Sequence, residues 1–129
     1  MKVLFYATRS DLATEKLQRM LKALVPQDQM VMCRTFSCLS HRLKQPSNDL
    51  EIAVLTMVND EEMLKILSLR DLLTDKRIIL ILPDSKSVTI SKAHALVPRF
   101  LAYLDSDTEK VKSVLDKMLN SRLKRVSLY

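Results

Sequence analysis

Apolar residues arrive along this chain in short continuous runs, separated by stretches in which they recur every three or four positions. Val3-Leu-Phe-Tyr-Ala7 is almost unbroken, the pattern of a strand buried on both faces. Ser10 or Asp11 then caps a helix whose apolar stripe is Leu17, Met20, Leu21 and Leu24, and Pro26 stops it. Met30 to Arg34 reads as a weaker strand, followed by Thr35 and Phe36. Leu39 and Leu43 mark a short helix that ends before Pro46. Ile52 to Leu55 is a buried strand ending at Thr56. Asn59 stands three residues before Glu62, a capping-box spacing, and Met63, Ile66 and Leu67 carry a helix to about Leu73. Ile78-Ile-Leu-Ile-Leu82 is the strongest strand run, closed by Pro83. A short helix is expected from Thr89 to Val97, and Phe100 to Leu104 forms the fifth strand. Ser106-x-x-Glu109 opens a last helix with the stripe Val111, Val114, Leu115, Met118, Leu119.

Strands and helices that alternate in units of about 25 residues imply right-handed βαβ crossovers and a parallel sheet covered on both faces. The expected fold is a doubly wound (βα)5 α/β sandwich of three layers with strand order 2-1-3-4-5. Ile52–Leu55 and Ile78–Leu82 belong at its centre, because central parallel strands are the most continuously apolar. The 129 residues, with no linker, repeat or low-complexity tract, read as one domain.

Composition narrows the chemistry. The chain has no glycine at all. That removes Gly-rich phosphate cradles, the GxGxxG fingerprint and the nucleophile elbow, each of which needs a conformation or close approach that glycine supplies. The net charge is +6, unevenly placed: residues 1–44 carry +5, residues 45–109 carry −4 and residues 110–129 carry +5. The longest apolar run, at Ile78–Leu82, is far too short to cross a membrane. Met1-Lys2 leads straight into a strand, and Cys33 and Cys38 read as reduced thiols, so a cytoplasmic setting is expected.

In a doubly wound sheet, functional groups gather at the carboxyl ends of the strands. Those ends carry Ala7, Thr8 and Arg9; Thr35; Thr56 and Met57; Pro83, Asp84 and Ser85; and Asp105, Ser106 and Asp107. No Ser/His/Asp grouping is among them, and His41 and His94 both fall in helices. Cys33, Cys38 and His41 supply three soft ligands where structural zinc wants four, so no metal is expected there. Asp84, Asp105 and Asp107 could hold Mg²⁺ through oxygen, but carboxylates at strand-to-helix turns serve more often as helix caps. No cofactor is expected.

The layout, from Lys2-Val-Leu-Phe-Tyr to the last amphipathic helix, resembles the receiver domain of bacterial response regulators, the CheY-like family with the flavodoxin-like fold. The resemblance lies in the order and character of the elements. It implies an acidic pair after strand 1 for Mg²⁺, where this chain has Ala7-Thr8. It implies a phospho-accepting aspartate at the end of strand 3, where Thr56 stands. Pro83 replaces the hydroxyl residue after strand 4, and Leu104-Asp105 replaces the lysine-proline pair after strand 5. Without those carboxylates nothing neutralises charge for acyl-phosphate transfer. The resemblance therefore implies a pseudo-receiver with a degenerate pocket.

A module of this kind acts by binding a protein partner or a second copy of itself. The family's usual contact face corresponds to about 89–119, and the candidate surface cations are Lys110, Lys117, Arg122, Lys124 and Arg125. Asp60, Glu61, Glu62, Asp71 and Asp75 offer a complementary patch for a homodimer. A basic module contacting nucleic acid is the alternative, although no helix-turn-helix or stacking platform is visible and four of the six aromatics lie in strands 1 and 5. A flavodoxin-like enzyme is a third reading, resting on Thr8, Ser10 and Thr14 as a hydroxyl-rich phosphate loop.

Overall fold

The structure is a computed structural model that describes residues 2–8, 12–45, 50–56, 60–82, 98, 100–103 and 108–128 of the chain, without the side chains of 13, 60, 108 and 120–128. The apolar runs become five strands: β1 (Lys2–Tyr6), β2 (Met30–Cys33), β3 (Leu50–Thr56), β4 (Arg77–Leu82) and β5 (Phe100–Tyr103). They form one parallel sheet in the order β2-β1-β3-β4-β5, the order expected from the sequence. β3 is central and β4 pairs on both of its edges, in keeping with the unbroken apolar runs Ile52–Leu55 and Ile78–Leu82 within them.

The period-two alternation of each strand sorts its side chains into two cores. On one face Val3, Phe5, Ile52, Val54, Ile79, Ile81 and Ala102 pack with Leu17, Leu21 and Val25 of α1 (Leu12–Leu24) and its end, and with Val111 and Leu115 of the last helix. On the other face Leu4, Tyr6, Ala53, Leu55, Ile78 and Leu80 meet Leu39 and Leu43 of α2 (Phe36–Lys44), and Met63 and Ile66 of α3 (Asp60–Leu67). Layers of helix, sheet and helix result. The last helix, α5 (Thr108–Leu128), is tied to the start of β4 by the Arg77 guanidinium, which donates to the Met118 carbonyl at 3.3 Å.

One local expectation gains detail and one changes. Thr35 follows β2 as expected and gains a role the sequence did not assign: its hydroxyl accepts from the Cys38 N–H at 3.1 Å and caps α2, satisfying a donor left open at the helix start. The third helix does not run unbroken to Leu73. The Ser68 hydroxyl donates back to the Lys65 carbonyl, and its own N–H reaches both Leu64 and Lys65, so the helix ends at Leu67. A single turn, α4 (Arg70–Leu73), follows. The break turns both Leu69 and Leu73 into the core. The expected helix at 89–97 lies outside the described residues, as do Ser10, Asp11, Asn59 and Ser106, so the caps assigned to them do too.

Candidate functional site

The carboxyl ends of β1 and β3 lie side by side at the centre of the sheet, and a hydrogen bond joins them. The Thr56 hydroxyl donates to the Tyr6 carbonyl at 2.8 Å, which satisfies a side chain that is otherwise fully enclosed. Ala7 is buried, with its N–H donating to the Cys33 carbonyl at 3.1 Å, while Thr8 emerges at the surface. Of the five positions read as a degenerate pocket, Ala7, Thr8 and Thr56 are brought together in this way; Pro83 and Leu104 lie outside the described residues. Arg9, Met57, Asp84, Ser85, Asp105, Ser106 and Asp107 lie outside them as well.

A carboxylate does reach this end of the sheet, from an unexpected direction. Glu62, in the first turns of α3, accepts from the Thr8 hydroxyl through Oε2 at 3.2 Å and sets its charge beside the Tyr6 phenol. Burial of Tyr6, reinforced by the neighbouring Glu62 carboxylate, holds the phenol well above its ordinary pKa of 10.0. Glu62 was expected to add to an acidic surface patch; it faces inward instead. Of the other patch residues, Glu61 and Asp71 are exposed, and Asp75 pairs with Lys76 at 3.3 Å.

Tyr6, Thr8, Glu61 and Glu62 line a cavity of about 390 Å³. Its remaining wall is Arg34, Thr35, Phe36 and Lys65, from the β2–α2 turn and from α3. The Arg34 guanidinium donates to Gln18 Oε1 at 2.8 Å, which orients it from α1. Tyr6, Arg34 and Lys65 were not among the residues singled out from the sequence, and Glu62 was named there only for a capping box and the acidic patch. Glu62 meets Thr8 across 54 positions, and no local pattern encodes such a contact.

The described residues do not make a divalent-cation site. No group of three His, Cys, Asp or Glu side chains among them is close enough to hold a metal ion. Thr56 spends its hydroxyl proton on a backbone carbonyl, and Glu62, a carboxylate at this end of the sheet, accepts from Thr8. Mg²⁺ prefers oxygen ligands, chiefly carboxylates, so the described residues at this end of the sheet do not fit it. His41 is exposed on α2 beside Gln45, and the sulfurs of Cys33 and Cys38 face each other at 3.0 Å. Thr14, one of the hydroxyls read as a flavin-phosphate loop, is buried in α1.

On the opposite side, α5 lays Val111 and Leu115 on the sheet, with Val114, Met118 and Leu119 at the margin, as the stripe requires. Lys110, Lys112 and Lys117 are exposed on it. The side chains of Arg122, Lys124 and Arg125 lie outside the described residues. Among the described residues, no helix is long and apolar enough to cross a membrane.

The sequence matches no protein-family model and no curated protein. Several solved structures resemble the fold over nearly its whole length. A signal receiver domain of an HD domain-containing protein from Pseudomonas fluorescens Pf-5 superposes with a TM-score of 0.73 at 13% identity, covering 95% of this chain and 97% of that one. A two-component response regulator from Legionella pneumophila gives 0.72 at 12% identity, over 94% and 99% of the two chains. The Mn²⁺-bound form of response regulator Rcp1 gives 0.66 at 11% identity, over 92% and 91%. With the strand order and the two helical layers, these likenesses settle the architecture: the chain has the flavodoxin-like fold of response-regulator receiver domains.

Proposed function

We propose that this chain is a receiver-like signalling domain that works through protein–protein interaction and is not switched by aspartyl phosphorylation. The observation that carries the reading is the end of β3. The position where a receiver would hold its phospho-accepting aspartate is Thr56, and its hydroxyl is committed to the Tyr6 carbonyl at 2.8 Å. Among the described residues the Thr56 proton goes to a carbonyl and not to a base that would make the hydroxyl a nucleophile. Ala7 and Thr8 supply no carboxylate next to it, and Pro83 and Leu104 complete the degenerate pocket in this reading. The domain is then a non-enzyme that needs no cofactor, and residues 1–129 form one such unit.

The proposed contact surface is the basic face of α5, with Lys110, Lys117, Arg122, Lys124 and Arg125 meeting an acidic protein surface or a second copy. Ion pairs of this exposed kind contribute only about 0–1 kcal/mol each, so they set orientation while apolar contacts hold the complex. Two measurements test the reading. Mg²⁺ with beryllofluoride should leave the amide NMR spectrum of the protein unchanged, and a set of shifted resonances around β1 and β3 would refute it. Sedimentation at low and high salt should show self-association, or partner binding, that a Lys117→Glu/Arg122→Glu variant loses. Equal behaviour of the two proteins would remove the basic face as an interface, and salt-dependent retention of the wild type alone on a nucleic-acid column would replace the protein partner with a polyanion.

A further inference from the structure

Cys33 closes β2 and Cys38 lies in the first turn of α2, with four residues between them. Each is held by the backbone. Cys33 pairs with Tyr6 across the β1–β2 ladder and its carbonyl accepts from the Ala7 N–H at 3.1 Å. Cys38 is fixed by the Thr35 cap at 3.1 Å. The result is a sulfur–sulfur contact of 3.0 Å, in which the Cys38 thiol donates to Cys33. A disulfide spans about 2.05 Å, so an approach of roughly 1 Å converts this contact into a bond. The Cys38 thiol also lies 3.9 Å from the Met32 carbonyl, so the turn into α2 directs it at the end of β2, where Cys33 stands.

The two thiols are unequal. Cys33 is 1% exposed, and burial, the hydrogen bond from Cys38 and the neighbouring thiol push it up to about 12, against a small opposing effect of Arg42. Cys38 is only half-buried and is the sulfur that a small molecule reaches first. An accessible thiol backed by a shielded one within bonding reach is the arrangement of an attacking and a resolving cysteine.

We propose that Cys33 and Cys38 form a reversible redox site whose oxidant is a peroxide. The Cys38 sulfur attacks one peroxide oxygen; an S–O bond forms as the O–O bond breaks, and the leaving hydroxide takes up the Cys38 proton as water. The Cys33 sulfur then attacks Cys38, its proton leaves with the departing hydroxyl as a second water, and the S–S bond closes. Two thiols lose two electrons and one peroxide gains them. Arg34, Thr35 and Phe36 lie inside the loop so closed and also line the cavity at the end of β1, so the bond constrains the rim of that cavity. A low-molecular-weight thiol reverses the reaction by exchange.

The test uses the full chain and its composition. Arg34 lies between the two cysteines, so trypsin places Cys33 in residues 23–34 and Cys38 in residues 35–42. After hydrogen peroxide, alkylation and digestion, the wild type should give these two peptides joined, two hydrogens lighter than their sum, from a chain still monomeric on a non-reducing gel. Dithiothreitol should separate them. Cys33→Ser should stop at a Cys38 sulfenic acid trapped by dimedone, and the lone thiol of Cys38→Ser should oxidise about tenfold or more slowly, being shielded. The wild-type digest decides the matter even if a variant fails to fold. Both thiols surviving peroxide that oxidises free cysteine would overturn the proposal, as would a Cys38 sulfinic acid with no joined peptide, or a disulfide between chains.

Discussion

The Thr56 hydroxyl donates to the Tyr6 carbonyl across 2.8 Å, binding the carboxyl end of the central strand to that of its neighbour. This one contact gives Thr56, read from the sequence as part of a degenerate pocket, a structural role. Thr56→Val keeps the shape and removes the donor, and should destabilise the chain by about 1–3 kcal/mol, the cost of a buried hydrogen bond left unmade. Thr56→Asp should cost more, because it sets a carboxylate against the carbonyl that Thr56 satisfied. It should also stay unphosphorylated with acetyl phosphate and Mg²⁺, since Ala7 and Thr8 still provide no metal ligand. Urea midpoints and intact mass check both variants; a stable phosphoryl adduct on Thr56→Asp would show that the missing aspartate was the only defect.

The centre of the sheet should be the least forgiving part of the molecule. Ile79 and Leu80 point to opposite faces of β4 and both are fully buried. Either residue changed to Ala should cost about 2–5 kcal/mol in urea unfolding, through lost transfer energy and the cavity left behind. A loss below 1 kcal/mol in both would be incompatible with an interior strand.

Alkali should weaken the fold earlier than exposed tyrosines and lysines would require. Cys33 is raised from 9.0 to about 12, and the Tyr6 phenol is raised above 10.0. In both cases the folded chain keeps protons that the unfolded chain has already released, so stability is full below pH about 9 and falls as pH rises. The slope is at most about 1.4 kcal/mol per pH unit for each group. Urea unfolding at a series of pH values should show this decline, and Cys33→Ala and Tyr6→Phe should each flatten it. An unchanged slope in both variants would mean that neither group is held protonated by the fold.

Glu62 should matter through Tyr6 and not as a surface charge. Glu62→Leu removes the carboxylate beside the buried phenol together with the bond from Thr8, and should cost about 0.5–1.5 kcal/mol. Glu62→Gln keeps an acceptor and removes the charge, so it should cost less while bringing the Tyr6 pKa back toward 10.0. Ultraviolet titration of the phenol reads the second effect. If both variants match the wild type in stability and titration, the Glu62–Tyr6 contact has no energetic weight.

How much of this was legible in the sequence depends on the range of the interaction. The runs at Val3–Ala7, Ile52–Leu55 and Ile78–Leu82 determined the strands, and their continuity placed the last two inside the sheet, because only a strand covered on both faces can afford no polar alternation. The stripes in α1 and α5 determined which side of each helix is buried, since a period of 3.6 is a property of the chain itself. The alternation of elements and the handedness of crossovers left few strand orders open. What needed the tertiary structure was every contact between residues distant in sequence: Glu62 on Tyr6 and Thr8, Thr56 on Tyr6, Arg34 on Gln18. Hydrophobic pattern reports which face is buried and says nothing of which polar side chains converge at a strand end, because those partners are chosen by the packing of separate helices on the sheet. Cys33 and Cys38 mark the boundary. Their spacing was visible, but only the tight turn from β2 into the Thr35-capped helix brought the two sulfurs to 3.0 Å.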